Sequence, residues 1–226
     1  YNEGATLAVL VNGYLEFIND RDDCELVLVD NGSNDETWEK MNKLKAKFPL
    51  APISLVRVKV NLGYGYGLIQ GLDAAKGVIL SWSHADLQCP PGDVFRLYDE
   101  FSRSKNQDTV FGKGNRVTDR GNASVLTNVQ TLLAQLILGH QMVEINAQPK
   151  MFHKTFYKTW QAPPKGYELD IYAYFQALRQ GLNLVSIDVD FLDRQEGESK
   201  WAYSIFSRLT AMAKNLIYLF QLRFSR

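Results

Sequence analysis

The chain lacks any excess of charge, any long apolar run and any secretory leader pattern. Its 226 residues carry 25 Lys and Arg against 25 Asp and Glu, so the formal net charge is zero. Because proteins dedicated to nucleic acid usually show a basic excess, we expect no nucleic-acid partner. No run of about 18 apolar residues is present, so we expect no membrane-spanning helix.

Cysteine is scarce as well. Cys24 and Cys89 are the only two, and they fit no metal or redox spacing. This favours a reducing compartment, and we expect a cytoplasmic location. The length predicts one domain or one domain with an appendage.

Acidic residues are absent after Glu198. The tail instead carries basic residues among apolar and aromatic ones: Lys200, Arg208, Lys214, Arg223 and Arg226. Its apolar residues fall on one stripe, which predicts an amphipathic helix over 201–226. Two interpretations stay open, namely a helix packed on the core and a helix lying on an anionic membrane surface.

Strand and helix patterns alternate along the rest of the chain, which predicts an α/β fold. We expect a mostly parallel central sheet with helices on both faces. A fold of this kind should begin with a strand, yet a helix follows Tyr1-Asn2-Glu3 directly. We therefore expect that such a strand precedes this sequence or is replaced by a neighbouring element. The predicted helices cover about 5–18, 34–48, 63–76, 91–101, 123–139 and 168–180, and the predicted strands about 25–29, 53–58, 78–83, 109–112, 149–154 and 184–191.

Metal-competent side chains follow the strand at 78–83: His84, Asp86 and Gln88. Open α/β sheets bind ligands outside the carboxyl ends of their strands. Mg²⁺ and Mn²⁺ favour carboxylate, carbonyl and water ligands, so Asp86 is a candidate metal ligand. The alternative is that His84 is a hydrogen-bonding, half-buried histidine and that Asp86 caps a helix.

Asp30 ends another strand and should face the same rim. A carboxylate there can accept a hydrogen bond from a nucleobase or a ribose, or it can merely cap the turn. The glycine turn at 61–67 lacks the Rossmann spacing, so dinucleotide binding is not expected. Its glycines allow close approach of a ligand or of another helix, and both interpretations stay open.

Two further groups of charged residues have a structural and a functional interpretation. Glu168 and Asp170 start a helix, where the dipole favours carboxylates, but they are also candidates for a general base. Arg194 and Lys200 belong to the loop RQEGESK, which could neutralise phosphate or could simply be solvated.

Five blocks of the sequence stand out together: YNEG at 1–4, VLVDNGSNDET at 27–37, NLGYGYGLIQGLDAAKG at 61–77, HADLQCPP at 84–91, and YELDIYAYFQALRQG with FLDRQEGESK at 167–200. In this order they resemble the family 2 glycosyltransferases, which have the A-type nucleotide-sugar fold. The closing block resembles the polyprenyl-phosphate branch, that of the dolichol-phosphate mannose synthases.

The resemblance implies transfer of a sugar, with inversion, from a nucleotide sugar to a polyprenyl phosphate or a related cell-envelope acceptor. It implies one catalytic domain at residues 1–200. Within that domain, about 1–115 would bind the nucleotide and about 116–200 would bind the acceptor. A peripheral position at the cytoplasmic face of the membrane would follow. The implied roles are catalysis by Asp86, Asp170 and Glu168, Mg²⁺ or Mn²⁺ binding by Asp86 and Gln88, and nucleotide-sugar binding by Tyr1, Glu3, Asp30, Asn61, Gly63, Gly65, His84, Arg116, Arg194 and Lys200.

The departures from the family pattern leave alternatives open. His84 stands where the metal motif usually has its first Asp, so the sequence does not fix metal dependence. The block INAQPKMFH at 145–153 replaces the acceptor block of the mannose synthases. A glycan hydroxyl therefore remains an alternative acceptor, and a nucleotide-sugar-binding module without turnover remains an alternative function.

Overall fold

The computed structural model describes residues 1–19, 21–117, 122–192 and 216–224, with the side chains of 122–128 and 130 left aside. The helices are α1 (Leu7–Ile18), α2 (Thr37–Lys47), α3 (Tyr64–Ala74), α4 (Gly92–Ser102), α5 (Asn122–Leu138), α6 (Lys154–Tyr157) and α7 (Leu169–Arg179), with a 3-10 turn at Gln107–Thr109. The strands are β1 (Leu26–Asn31), β2 (Ile53–Val58), β3 (Ile79–Trp82), β4 (Val110–Arg116), β5 (Lys150–His153) and β6 (Asn183–Val189).

The strands form two sheets. Strands β1 and β2 pair in parallel, and the other four pair in the order β3-β5-β4-β6. In that second sheet β4 and β6 are parallel, whereas β5 is antiparallel to both of its neighbours. The fold is therefore α/β as expected, but the described strands do not join into one central sheet.

The orientation of β5 follows from where the chain re-enters the sheet. Lys150, the first residue of β5, lies opposite Trp82, the last residue of β3, and Lys113, in the middle of β4. After α5 the chain thus returns at the edge from which β4 left. Entry at the same edge produces an antiparallel strand.

Both faces of the four-stranded sheet are covered, because neighbouring residues of one strand point to opposite sides. In β4, Phe111 packs into the core under α7, and Val110 packs with Leu97 and Phe101 of α4. A separate core lies between β1-β2 and helices α1 and α2, and contains Val11 and Met41. These layers leave the carboxyl ends of β1, β3 and β4 facing one cavity.

Most predicted elements are confirmed within a few residues, and β2 has the predicted bounds. Strand β4 continues to Arg116, beyond the predicted end at 112, because pairing with β6 overrides the weak strand preference of Gly112, Gly114 and Asn115. Residues 216–224 are helical, and the rest of the predicted tail helix lies outside the described residues. Within the described ranges no helix is both long and apolar enough to cross a membrane.

The glycine turn packs tightly against the loop at 164–166. Gly63 has φ +124°, and a Cβ there would lie 2.2 Å from the Lys165 carbonyl oxygen. The backbone N–H groups of Gly65 and Tyr66 donate to the carbonyls of Gly166 and Lys165 at 3.2 and 3.0 Å. Close packing between two protein segments, one of the two interpretations left open, therefore accounts for these glycines.

We expect Gly63→Ala to destabilise the protein by about 2–4 kcal/mol, because it adds a backbone clash to an unfavourable φ. The matched control is Gly181→Ala: Gly181 has φ +72° but no atom within 4 Å of the new Cβ. That variant should lose only the conformational part, about 1–2 kcal/mol. Urea denaturation measures both, and equal losses would contradict the packing argument.

Candidate functional site

A cavity of about 1990 Å³ extends along β1 and β3, from Cys24 and Gly77 at their amino ends to the carboxyl ends of β1, β3 and β4. Ten residues proposed from the sequence lie on its wall: Tyr1, Glu3, Asn61, Gly63, His84, Asp86, Gln88, Arg116, Glu168 and Asp170. Asp30 and Gly65 are not on the wall, and Arg194 and Lys200 lie outside the described residues. The fold thus places ten of the predicted site residues, from five separate segments of the chain, along this cavity.

Asp30 ends β1 with only 1% of its surface exposed. Its Oδ1 accepts from the backbone N–H of Ser33 at 3.0 Å, which is the turn-capping bond of the alternative interpretation. Its Oδ2 has no hydrogen-bond partner and lies 3.8 Å from Arg57 Nε. The carboxylate therefore holds the turn and keeps one acceptor unused.

The first residues of the chain pack on that same turn. The hydroxyl of Tyr1 accepts from Asn34 Nδ2 at 3.1 Å, and the backbone N–H of Asn2 donates to Ser33 Oγ at 2.9 Å. Glu3 contributes its carbonyl to the first turn leading into α1. Tyr1 and Glu3 are thereby held at the cavity beside the end of β1.

Asn61 organises the entrance to α3. Its Oδ1 accepts from the N–H of Gly63 at 2.9 Å, while the neighbouring Asn31 donates to the Gly63 carbonyl at 3.0 Å. The turn is thus fixed by side chains from two strand ends. Binding of a nucleotide sugar by Asn61, Gly63 and Gly65 stays a prediction.

The segment after β3 makes a sharp turn. Leu87 adopts φ +61°, and the Asp86 Oδ1 accepts from the N–H of Gln88 at 3.2 Å. Gln88 in turn donates from Nε2 to the Leu192 carbonyl at 3.0 Å, which ties the turn to the segment after β6. Asp86 is therefore held at the strand end, half-buried, on the cavity wall.

His84 stacks on Tyr64, with ring centroids 5.8 Å apart, and Tyr64 stacks on Tyr167 at 5.2 Å. Burial lowers the pKa of His84, although Asp86 and Asp170 oppose the shift. The imidazole is consequently neutral at pH 7 and can accept a hydrogen bond or bind a metal through one nitrogen.

Arg116 ends β4 with a side chain that is only 6% exposed. Its Nε pairs with Glu144 Oε2 at 2.5 Å, and the guanidinium lies over the ring of Phe191, 5.3 Å from the centroid. Its Nη2 is buried and has no hydrogen-bond partner among the residues that the structure describes. A buried, unpartnered N–H of a cation is costly, so this nitrogen marks a place where an anion is favourable.

Asp170 lies in the first turn of α7 and is 4% exposed. Its Oδ1 accepts from Gln148 Nε2 at 2.8 Å and lies 3.2 Å from Lys150 Nζ. The hydroxyl of Tyr64 is a further hydrogen-bond partner, and its pKa is raised well above the usual value by burial and by Asp170. Glu168, half-buried, precedes it as the cap residue of α7.

Sequence reasoning missed three of these partners: Tyr64, Gln148 and Lys150. The glycines of the turn indicated a role for its backbone and did not indicate a role for the ring of Tyr64. Gln148 and Lys150 belong to the block at 145–153, which departs from the family pattern. That departure was the available signal, but no spacing rule connects it with Asp170.

The donor set around Asp86 is compatible with a hard divalent cation. The described residues contain no group of three or more His, Cys, Asp or Glu side chains arranged to hold a metal by themselves. Mg²⁺ often needs only one or two carboxylates when substrate phosphates and waters complete its shell. Asp86 can serve as that carboxylate, with the Gln88 amide or the neutral His84 beside it.

Comparison with known proteins gives the family. The model of glycosyl transferase family 2 matches residues 1–162. The chain therefore belongs to this family, as the five sequence blocks predicted.

Curated relatives cover different shares of the chain. A dolichol-phosphate mannosyltransferase from Pyrococcus furiosus is 33% identical over 102 residues, covering 44% of this chain and 27% of the relative. An undecaprenyl-phosphate 4-deoxy-4-formamido-L-arabinose transferase from Photorhabdus laumondii subsp. laumondii is 25% identical over 213 residues, covering 90% of this chain and 61% of the relative. The chain thus spans less than two thirds of the length of these relatives.

Solved structures confirm the fold. Glucosyl-3-phosphoglycerate synthase from Mycobacterium tuberculosis, in complex with Mn²⁺, UDP-glucose and phosphoglyceric acid, superposes with a TM-score of 0.73. The alignment covers 98% of this chain and 76% of that one at 19% sequence identity. The described architecture is therefore that of a glycosyltransferase A-type fold.

Proposed function

We propose that the protein transfers a sugar from a nucleotide-sugar donor to a polyprenyl-phosphate acceptor in a single displacement with inversion. In this reaction an acceptor oxygen bonds to the anomeric carbon while the nucleoside diphosphate leaves with the electron pair of the broken bond. Residues 1–200 would form the catalytic domain, with donor binding within about 1–115 and acceptor binding within about 116–200. Family membership and the relatives' names support this proposal, and the unpartnered guanidinium nitrogen of Arg116 carries its acceptor side.

The donor side uses the ends of β1 and β3. Recognition of a nucleobase N–H or a ribose hydroxyl by Asp30 is proposed from the sequence resemblance, and Tyr1, Glu3 and Asn61 line the cavity. Asp86 would hold the diphosphate through Mg²⁺ or Mn²⁺, with Gln88 or His84 beside it. A divalent cation bound there would offset the charge that develops on the leaving group.

The acceptor side favours an anion over a hydroxyl. The buried Arg116 offers an unused hydrogen-bond donor, and a phosphate oxygen is a good partner for it. Asp170, the candidate base for a hydroxyl acceptor, is already bonded to Lys150 and Gln148. A phosphate monoester is an anion near neutral pH and needs no base, so Asp170 would orient the substrate. Arg194 and Lys200 are proposed as further phosphate contacts from their sequence alone.

A second candidate acceptor is a glycan hydroxyl, with Glu168 as the base. The half-buried carboxylate of Glu168 on the cavity wall supports this alternative. It predicts turnover with soluble glycans and no gain from lipid vesicles. A binding module without turnover remains a third candidate and predicts nucleotide binding with no transfer at all.

An apolar surface on α5 and the helical residues 216–224 supports a peripheral membrane position. Arg223 Nη1 donates to the Leu138 carbonyl at 2.9 Å, so the helical segment 216–224 contacts the end of α5. Their outer faces expose large apolar side chains, and a lipid surface would cover them. These residues are Val129, Leu132, Leu136, Ile217, Phe220 and Phe224.

The first test is calorimetric titration with UDP, GDP, CDP and dTDP, with and without Mn²⁺. We expect one nucleotide to bind tightly and to bind more tightly with metal.

Asp86→Asn should remove the gain in nucleotide affinity from metal and lower the rate of sugar transfer by at least about 100-fold. Asp30→Asn, which keeps an acceptor for Ser33, should weaken binding equally with and without metal. Full turnover by Asp86→Asn would contradict the metal role.

For the acceptor, we expect Arg116→Gln to raise the KM for undecaprenyl phosphate by about tenfold or more, because a charge-assisted hydrogen bond is lost. The donor KM should not change. Glu144→Gln is the matched control, since it breaks the same ion pair but keeps the guanidinium. Steady-state kinetics in vesicles would measure both variants. A similar rise in both would show that the ion pair, rather than an anion contact, is responsible.

Membrane association can be tested by co-sedimentation with vesicles of phosphatidylglycerol and phosphatidylcholine. We expect the double variant Leu136→Glu and Phe220→Glu to lose most of its binding, because charge is placed on the apolar surface. Leu50→Glu is the control, since Leu50 is 98% exposed and far along the chain from that surface. Unchanged binding of the double variant would exclude this surface as the contact.

A further inference from the structure

We infer that Lys150 is a positioning residue of the acceptor side, and this inference rests on the proposed function. Its ammonium group fixes the Asp170 carboxylate and the backbone at 145–147 in one arrangement against the cavity. No sequence pattern assigned a role to Lys150, and the residue is not on the cavity wall. It would therefore act through Asp170 rather than by contact with substrate.

The location of Lys150 is unusual for a lysine. It is the first residue of β5, opposite Trp82 of β3, in the interior of the four-stranded sheet. Its side chain is 0% exposed. Burial lowers the pKa of Lys150 and Asp170 opposes this shift, so an ammonium so far from water needs several hydrogen bonds and a negative partner to stay charged.

All three ammonium hydrogens have an acceptor within reach. Nζ donates to the carbonyl oxygens of Ile145 and Ala147, both at 2.8 Å, and lies 3.2 Å from Asp170 Oδ1. The two carbonyls belong to the segment before β5, whereas Asp170 starts α7. One cation therefore joins two separate segments that border the cavity.

The carboxylate of Asp170 is bound from more than one side. Gln148 donates to its Oδ1 at 2.8 Å and to the Tyr64 hydroxyl at 3.3 Å. Tyr64 in turn stacks on His84, next to the proposed metal site. Loss of the ammonium would leave a buried carboxylate without its cation, and the whole chain of contacts would have to rearrange.

Lys113 provides a comparison within the same sheet. It lies directly opposite Lys150 on β4 and is also buried, at 2% exposure. Its Nζ lies 5.6 Å from the ring centroid of Tyr174, and burial lowers its pKa to about 7. The two lysines thus share burial and neighbourhood, but only Lys150 pairs with Asp170 among the described contacts.

The test compares Lys150→Met with Lys113→Met, using undecaprenyl phosphate in vesicles and UDP-glucose or GDP-mannose, whichever the wild type turns over. We expect Lys150→Met to lower kcat about 100-fold with the donor KM and the nucleotide Kd within about twofold. Lys113→Met should keep kcat within about threefold. An equal fall in both variants, or a fall in nucleotide affinity that accounts for the loss, would overturn the role.

A double variant covers the case in which Lys150→Met fails to fold. Lys150→Met with Asp170→Asn removes both charges, so no unpaired buried charge remains. If Lys150 acts through Asp170, the double variant should have a kcat no lower than that of Asp170→Asn alone. A further multiplicative loss would overturn the role. A wild type with no turnover on any donor would overturn the proposed function and this role with it.

Discussion

The free-energy cost of burying a charged lysine in the four-stranded sheet constrains how the segments around Asp170 are arranged. Lys150 has no access to water, so its ammonium must be solvated by the protein itself. Two carbonyls from the segment before β5 and the carboxylate of Asp170 do this. The segment and the start of α7 are consequently fixed relative to β3 and β4, between which β5 lies. A buried ion pair of this kind gives little net stability, but it strongly disfavours other arrangements of these segments.

The cavity has charged groups of opposite sign on two sides. On one side, β3 presents Asp86, one oxygen of which is engaged in a turn, while the buried Asp30 of β1 holds the neighbouring turn without reaching the cavity wall. On the other, β4 presents Arg116, whose second terminal nitrogen has no hydrogen-bond partner among the described residues. Negative groups suit a donor that arrives with a cation, and a buried guanidinium suits an anionic acceptor. The charge pattern therefore agrees with the direction of transfer that we propose.

The sequence predicted the elements well because their signals are local. Turn residues after β1, the glycines before α3 and the apolar stripe of α4 each depend on a few neighbouring residues. The resemblance also proposed a set of site residues, ten of which line the cavity. The division into two sheets and the reversed direction of β5 were not predicted, since strand pairing is decided by distant residues. Lys150 and Gln148 were missed for the same reason: their partner Asp170 lies some 20 positions away, and no periodicity connects them.

His84 illustrates how a departure from a family pattern can be understood from charge. A second carboxylate at this position would stand near Asp86 and Asp170, and such a cluster of negative groups requires a metal or further cations. A neutral imidazole removes that requirement and still offers a nitrogen to a metal, a phosphate or a water. Its ring also stacks on Tyr64, which contacts Asp170 from the other side. The imidazole thus lowers the negative charge beside Asp86 while its ring contacts Tyr64 and, through Tyr64, reaches Asp170, which a carboxylate at this position would not do.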